Sequence, residues 1–107
     1  MSMVVHEVAL ELIRELAPLI PSMARHDKNL AQQLRRCASS VVLDIAEGES
    51  SDPGTKRARF HSAAGSANET RAALRVAACW RYVTEQRTRS CLALLDRVLG
   101  MLWRLTH

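Results

Sequence analysis

The sequence predicts an all-α chain, one antiparallel up-and-down four-helix bundle spanning residues 1–107, and three observations predict it. Apolar residues make up 48% of the chain but Phe, Trp and Tyr only 4%, so the core must be built from Leu, Val, Ile and Ala, a helix-packing composition. Four Gly and three Pro are too few for the many turns of an all-β domain, and no run of alternating β-branched residues occurs. Apolar positions instead recur at three- and four-residue steps in separate stretches, the spacing of amphipathic helices. A chain of this length buries somewhat over about 60% of its unfolded surface as a single domain, enough for a core without a metal or disulfide staple.

The first helix is read from Val5, Val8, Ala9, Leu12, Leu16 and Leu19, with Glu7, Glu11, Arg14 and Glu15 on the other side. Pro18 and Pro21 each lack an N–H and crowd the preceding turn, so the helix either ends near Ala17 or bends before Met23. Asp27 is an N-cap for a second helix from about Lys28 to Glu49, with Leu30, Leu34, Cys37, Val41 and Ile45 as its core stripe. Gly48 and the string Glu49-Ser50-Ser51-Asp52-Pro53-Gly54 form the one clear loop, and Asp52-Pro53 reads as N-cap and first helical position. The third helix runs from about Pro53 to Arg81. A corner at Trp80-Arg81-Tyr82-Val83 leads to Thr84, the N-cap of a fourth helix whose inner stripe is Cys91, Leu94, Leu95, Val98, Leu102 and Leu105. Short connections make consecutive helices antiparallel neighbours.

The third helix carries two apolar arcs. Phe60, Ala63, Ala67, Leu74 and Ala78 are assigned to the bundle core, while Ala58, Gly65, Ala72, Val76 and Cys79 project from the far side. That far side is either an Ala-rich exposed face, since Ala is the best helix former, or a subunit interface that small residues allow another helix to approach. Leu92, Leu99 and Trp103 of the fourth helix also lie off its inner stripe, which favours the interface and hence a homo-oligomer.

Charge is divided unevenly. Residues 1–55 carry five basic and eight acidic side chains, a net −3, and residues 56–107 carry ten basic and three acidic, a net +7. Arg57, His61, Asn68, Arg71 and Arg75 form a ridge between the two apolar arcs of the third helix. Such a ridge either tracks a phosphate backbone or pairs with acidic residues of a neighbouring helix. With Arg89, Arg97 and Arg104 of the fourth helix, Arg57, Arg71 and Arg75 are the candidate phosphate contacts.

Catalysis finds no foothold in the sequence. There is no Gly-rich phosphate loop, no G-x-S-x-G and no Cys/His pair at meaningful spacing. Asp44, Glu47 and Glu69 suggest a carboxylate metal centre, but His6, His26, His61 and His107 supply no Glu-x-x-His. Arg36, Ser40, Asp44 and Glu47 line up at four-, four- and three-residue steps, and with Ser66 and Glu69 they read as a buried or half-buried hydrogen-bond network that fixes helix register. Cys37, Cys79 and Cys91 are an odd set without a C-x-x-C pair, expected to be reduced packing residues. No catalytic residue, cofactor or metal ligand is expected. No apolar stretch approaches a membrane span and Met1 to Ala9 lacks a basic region before an apolar core, so a soluble, cytoplasmic protein is expected.

Three strings carry a family resemblance: Gln33-Leu34-Arg35-Arg36-Cys37-Ala38-Ser39-Ser40, Asp44-Ile45-Ala46-Glu47-Gly48, and Gly65-Ser66-Ala67-Asn68-Glu69-Thr70. They resemble Q-L-R-R-A-x-x-S, N-I-A-E-G and G-S-A-x-E-T of the four-helix-bundle family named for proteins encoded in intervening sequences of bacterial large-subunit ribosomal RNA genes. Trp80 to Val83 sits where that family has a G-Y-L corner, so the likeness covers nearly the whole chain. Asp44 replaces the usual Asn, Cys37 the Ala, and Arg81 the corner Gly; Asp44 in particular makes pairing with Arg36 an expectation. The resemblance implies a homopentameric ring. It also implies kinship to a basic accessory protein of diversity-generating retroelements that binds reverse transcriptase and nucleic acid. The expected function is therefore a non-enzymatic, homo-oligomeric RNA- or DNA-binding accessory protein, the alternative being a scaffold that offers apolar grooves to a reverse transcriptase or another protein.

Overall fold

The computed structural model describes residues 2–107, with side chains from Val4 onward, so the Met1 end of the leader expectation lies outside the described residues. The helices are α1 (Ser2–Leu16), α2 (Ile20–His26), α3 (Lys28–Glu49), α4 (Pro53–Cys79) and α5 (Glu85–Thr106), with a 3-10 turn at Ala17–Leu19 between the first two. They stand as four rods, because α1, the 3-10 turn and α2 together make one bent rod. The α1 rod packs against α3 and α5, and α4 packs against the same two from the other side, as an up-and-down bundle requires. The bundle measures 42 × 22 × 19 Å, its long axis matching the ~40 Å that the 27 residues of α4 span at helical rise.

Local chemistry explains the breaks. Pro18 and Pro21 remove amide donors and crowd the turns before them, and the chain answers with a 3-10 turn rather than an end. The bend leaves the apolar stripe unbroken, since Leu12, Leu16, Leu19 and Met23 are all buried. Asp27 accepts from the Leu30 amide at 2.9 Å, Asp52 from the Thr55 amide at 3.0 Å, and Thr84 from the Arg87 amide at 3.2 Å, so each cap predicted from sequence starts its helix.

The core is aliphatic around one aromatic. Phe60 is buried beside Leu34, Ile45, Leu74, Leu95 and Leu102 among the largest enclosed side chains. Gly48 gives it room: a Cβ there would stand 2.7 Å from Phe60 Cε1. The stripes drift from their predicted lines at helix ends. Towards the C-terminal end of α4 the buried residues are Ala73, Leu74 and Ala77, and Ala78 is only half-buried. On α5 Leu105 is 40% exposed, and Thr106 takes the inward place with its hydroxyl donating to the Leu102 carbonyl at 2.8 Å. Leu30 and Leu94, also assigned to the core, are half-buried at its edge.

Candidate functional site

The motif strings lie along the packed α3–α4 pair. Leu34, Cys37, Ala38, Ile45 and Gly48 of α3 are buried, as are Ala67 and Thr70 of α4. The Thr70 hydroxyl lies 2.8 Å from the Ser66 carbonyl and 3.2 Å from Cys37 Sγ, so a polar side chain is accommodated in full burial. Burial pushes the Cys37 thiol above its ordinary pKa. These strings hold the bundle together.

The polar stripe differs from its expected form. It is not self-paired: Asp44 accepts from Ser62 Oγ at 2.9 Å and stands 3.9 Å from Arg59, whose other nitrogen is 3.4 Å from Glu47. Glu69 accepts from Gln33 Nε2 at 3.3 Å. Arg36 is exposed and stands eight residues, about 12 Å, from Asp44 along the helix axis, whereas Ser62 and Arg59 face it from α4. Arg36, Ser40, Ser66 and Glu69 line a shallow groove between the two helices. Arg36, Glu47 and Glu69 are exposed, and Ser40, Asp44 and Ser66 half-buried, so the network is a surface seam joining α3 to α4. Arg59 and Ser62 escaped the sequence reading because their role depends on which turn of α4 faces Asp44.

The arginines divide into tied and free. Arg71 is held by Asp96 at 3.2 Å and by Asn68 at 2.9 Å, a partner on α5 and one on its own helix. Arg57, Arg75, Arg89, Arg97 and Arg104 are exposed and, among the described residues, have no carboxylate within 4 Å. Arg87 donates to Ser22 Oγ at 3.3 Å and to the Pro18 carbonyl at 3.2 Å, tying the start of α5 to the bent rod.

On the far side of α4, Ala58, Gly65, Ala72, Val76 and Cys79 are all exposed. A Cβ on Gly65 would meet nothing within 4 Å. Leu99 is half-buried and Trp103 is 61% exposed, its ring stacked on His107 with 3.4 Å between centroids. Leu43 of α3, which the sequence reading passed over, is equally exposed. At the opposite end of the bundle His26 stacks on Tyr82 at 4.9 Å and 4°, and Tyr82 on Trp80 at 6.4 Å and 15°.

Among the described residues, no three or more His, Cys, Asp or Glu side chains are gathered closely enough to hold a metal ion, and no helix is long and apolar enough to cross a membrane.

A family model described as 23S rRNA-intervening sequence protein matches residues 1–104. The chain belongs to that family. The resemblance to that family is thereby shown, and the buried residues of the three strings pack α3 against α4 in this intervening-sequence protein. A crystal structure from Bacteroides thetaiotaomicron VPI-5482, described as a protein with unknown function from the S23 ribosomal protein family, superposes with a TM-score of 0.88. The match covers 95% of this chain and 97% of that one at 20% identity, and it shows the shared fold. No curated protein matches the sequence.

Proposed function

We propose that this intervening-sequence family member is a non-enzymatic, homo-oligomeric accessory protein of the cytoplasm that associates with RNA through α4 and α5. The observation that carries the reading is the set of exposed arginines that, among the described residues, have no acidic partner, Arg57, Arg75, Arg89, Arg97 and Arg104, within a segment of net +7. A guanidinium already engaged, as in Arg71, must give up its carboxylate before it reaches a phosphate, whereas these five are unengaged. The family's description names 23S rRNA, which makes RNA the nucleic acid to test first. Self-assembly through Ala58, Gly65, Ala72, Val76, Cys79, Leu99 and Trp103, into the five-membered ring that the resemblance implies, would repeat the arginines around an axis.

Titration of labelled RNA at two salt concentrations tests the reading. Five phosphate contacts on a single strand imply a log–log salt slope of about −3.5, hence roughly a hundredfold loss of affinity between about 50 and 200 mM salt. Binding that ignores salt would sink it. The exposure of Val76 and Trp103 supports a second reading, a scaffold for a protein such as a reverse transcriptase, with those apolar side chains as the anchor.

A further inference from the structure

We propose that Trp80, at the open end of the His26–Tyr82–Trp80 stack, is a landing site for an unpaired base of single-stranded RNA. The inference rests on the RNA reading above and adds a site and a ligand class to it.

The chain holds one Phe, one Tyr and two Trp. Phe60 fills the core, yet Trp80 and Tyr82 stand one residue apart at the α4–α5 corner, and Trp80 is 67% exposed. A bundle built from aliphatic side chains gains little stability from an indole left largely in water. What the corner does provide is alignment. Tyr82 is the middle ring, with His26 within 4° of parallel on it and Trp80 within 15°, so three flat π-systems are presented as one series. Bases stack on such surfaces whatever their identity, which is how single-stranded nucleic acid is held without reading sequence.

The backbone of the platform is fixed before any ligand arrives. Arg81 has a left-handed φ of 64°, and it closes α4 with paired bonds, Arg81 N–H to the Ala78 carbonyl at 3.0 Å and Tyr82 N–H to the Ala77 carbonyl at 2.9 Å. Val83 is buried immediately after and Thr84 starts α5. On the other side, His26 is followed by Asp27, whose carboxylate caps α3. The backbone that carries the rings therefore has little conformational entropy to lose on binding.

The charge at this end suits a polyanion. Arg25, Lys28 and Arg81 adjoin the three rings in sequence, and Arg87, tied to Ser22 and the Pro18 carbonyl, keeps its positive charge in the first turn of α5, against two carboxylates: Asp27, engaged by the Leu30 amide, and Glu85. Aromatic rings whose sequence neighbours are cationic fit a base with its phosphates.

The test compares wild type with Trp80→Ala and Trp80→Phe on a short single-stranded oligouridylate and on an abasic strand of equal length. Trp80→Ala is expected to weaken oligouridylate binding roughly tenfold, to leave the abasic strand and the salt slope unchanged, and to be largely rescued by Trp80→Phe. Thermal melting of both variants with wild type excludes a folding effect, as the exposure of Trp80 leads one to expect. If Trp80→Ala binds oligouridylate like wild type while salt-sensitive binding persists, the stacking site is overturned and the RNA reading stands. If wild type binds neither strand, both fall.

Discussion

The amide of Tyr82 donates to the carbonyl of Ala77 at 2.9 Å, reaching back over Arg81, which sits at a φ of +64°. This closure usually has Gly at the left-handed position, since a Cβ there crowds the following carbonyl at a cost of about 1–2 kcal/mol. The G-Y-L corner of the motif that the chain resembles would place Gly here, and in this chain Arg81 takes the strain. Arg81→Gly is therefore expected to stabilise the fold by ~0.5–1 kcal/mol, the relief being partly offset by the greater freedom of Gly in the unfolded chain. A higher urea midpoint at unchanged m would show it; a lower midpoint would mean that the Arg81 side chain contributes more than its backbone costs.

Two glycines in helices should respond in opposite directions to the same change. At Gly48 a new Cβ would come within 2.9 Å of two Phe60 ring atoms and 3.3 Å of Arg59 Cβ, and Phe60 is too enclosed to swing aside. Gly48→Ala should cost about 1–3 kcal/mol through overpacking, outweighing the helix-propensity gain. Gly65 faces open space, so Gly65→Ala in the isolated chain should gain up to about 1 kcal/mol. Chemical denaturation of the pair reads both signs in one experiment.

Where sequence succeeded, the deciding interaction was local. Asp27, Asp52 and Thr84 each reach an amide three residues on, so residue type and position were enough to place three helix starts. The α1 stripe was legible through Leu19 because burial follows a short periodic pattern. The errors came where distance or phase decided. Along the 27 residues of α4 a small error in residues per turn accumulates, which moved the buried line from Ala78 to Ala77. Asp44 was expected to meet Arg36 on its own helix, yet its partners are Ser62 and Arg59 on α4, a register that only packing sets. The aromatic series was hidden for the same reason: nothing in the sequence tells that His26 lies against Tyr82 across the bundle end.

The three thiols should separate by accessibility. Cys79 is exposed and Cys37 and Cys91 are buried. In the isolated chain, where no assembly covers the α4 face, a thiol reagent at neutral pH should label one cysteine quickly before denaturation and three after it. Burial, helped by the nearby Glu15 carboxylate, pushes the Cys91 thiol up to about 11 from 9.0. Its neutral form is thus favoured by folding, a contribution fully present below pH 9 and lost as pH rises towards 11. Cys91→Ala should flatten the fall in stability across that window by about 2 kcal/mol. Equal pH slopes for the two proteins would contradict a buried, protonated Cys91.

The exposed face of α4 gives the sharpest test of assembly. Ala58, Gly65, Ala72 and Cys79 recur every seven residues, the repeat that keeps one seam of a helix against a partner helix. Small side chains at that seam permit close approach, and Val76 with Trp103 adds apolar area beside it. Ala72→Glu places a charge at the middle of the seam. Because Ala72 is exposed in the single chain, the variant should keep its helicity and melting behaviour at low concentration. Light scattering should then report the 11.9 kDa monomer for Ala72→Glu and a multiple of that mass for wild type. Equal masses would remove α4 from the interface, and a monomeric wild type would remove the interface itself, leaving Ala58, Gly65 and Ala72 as good helix surface and nothing more.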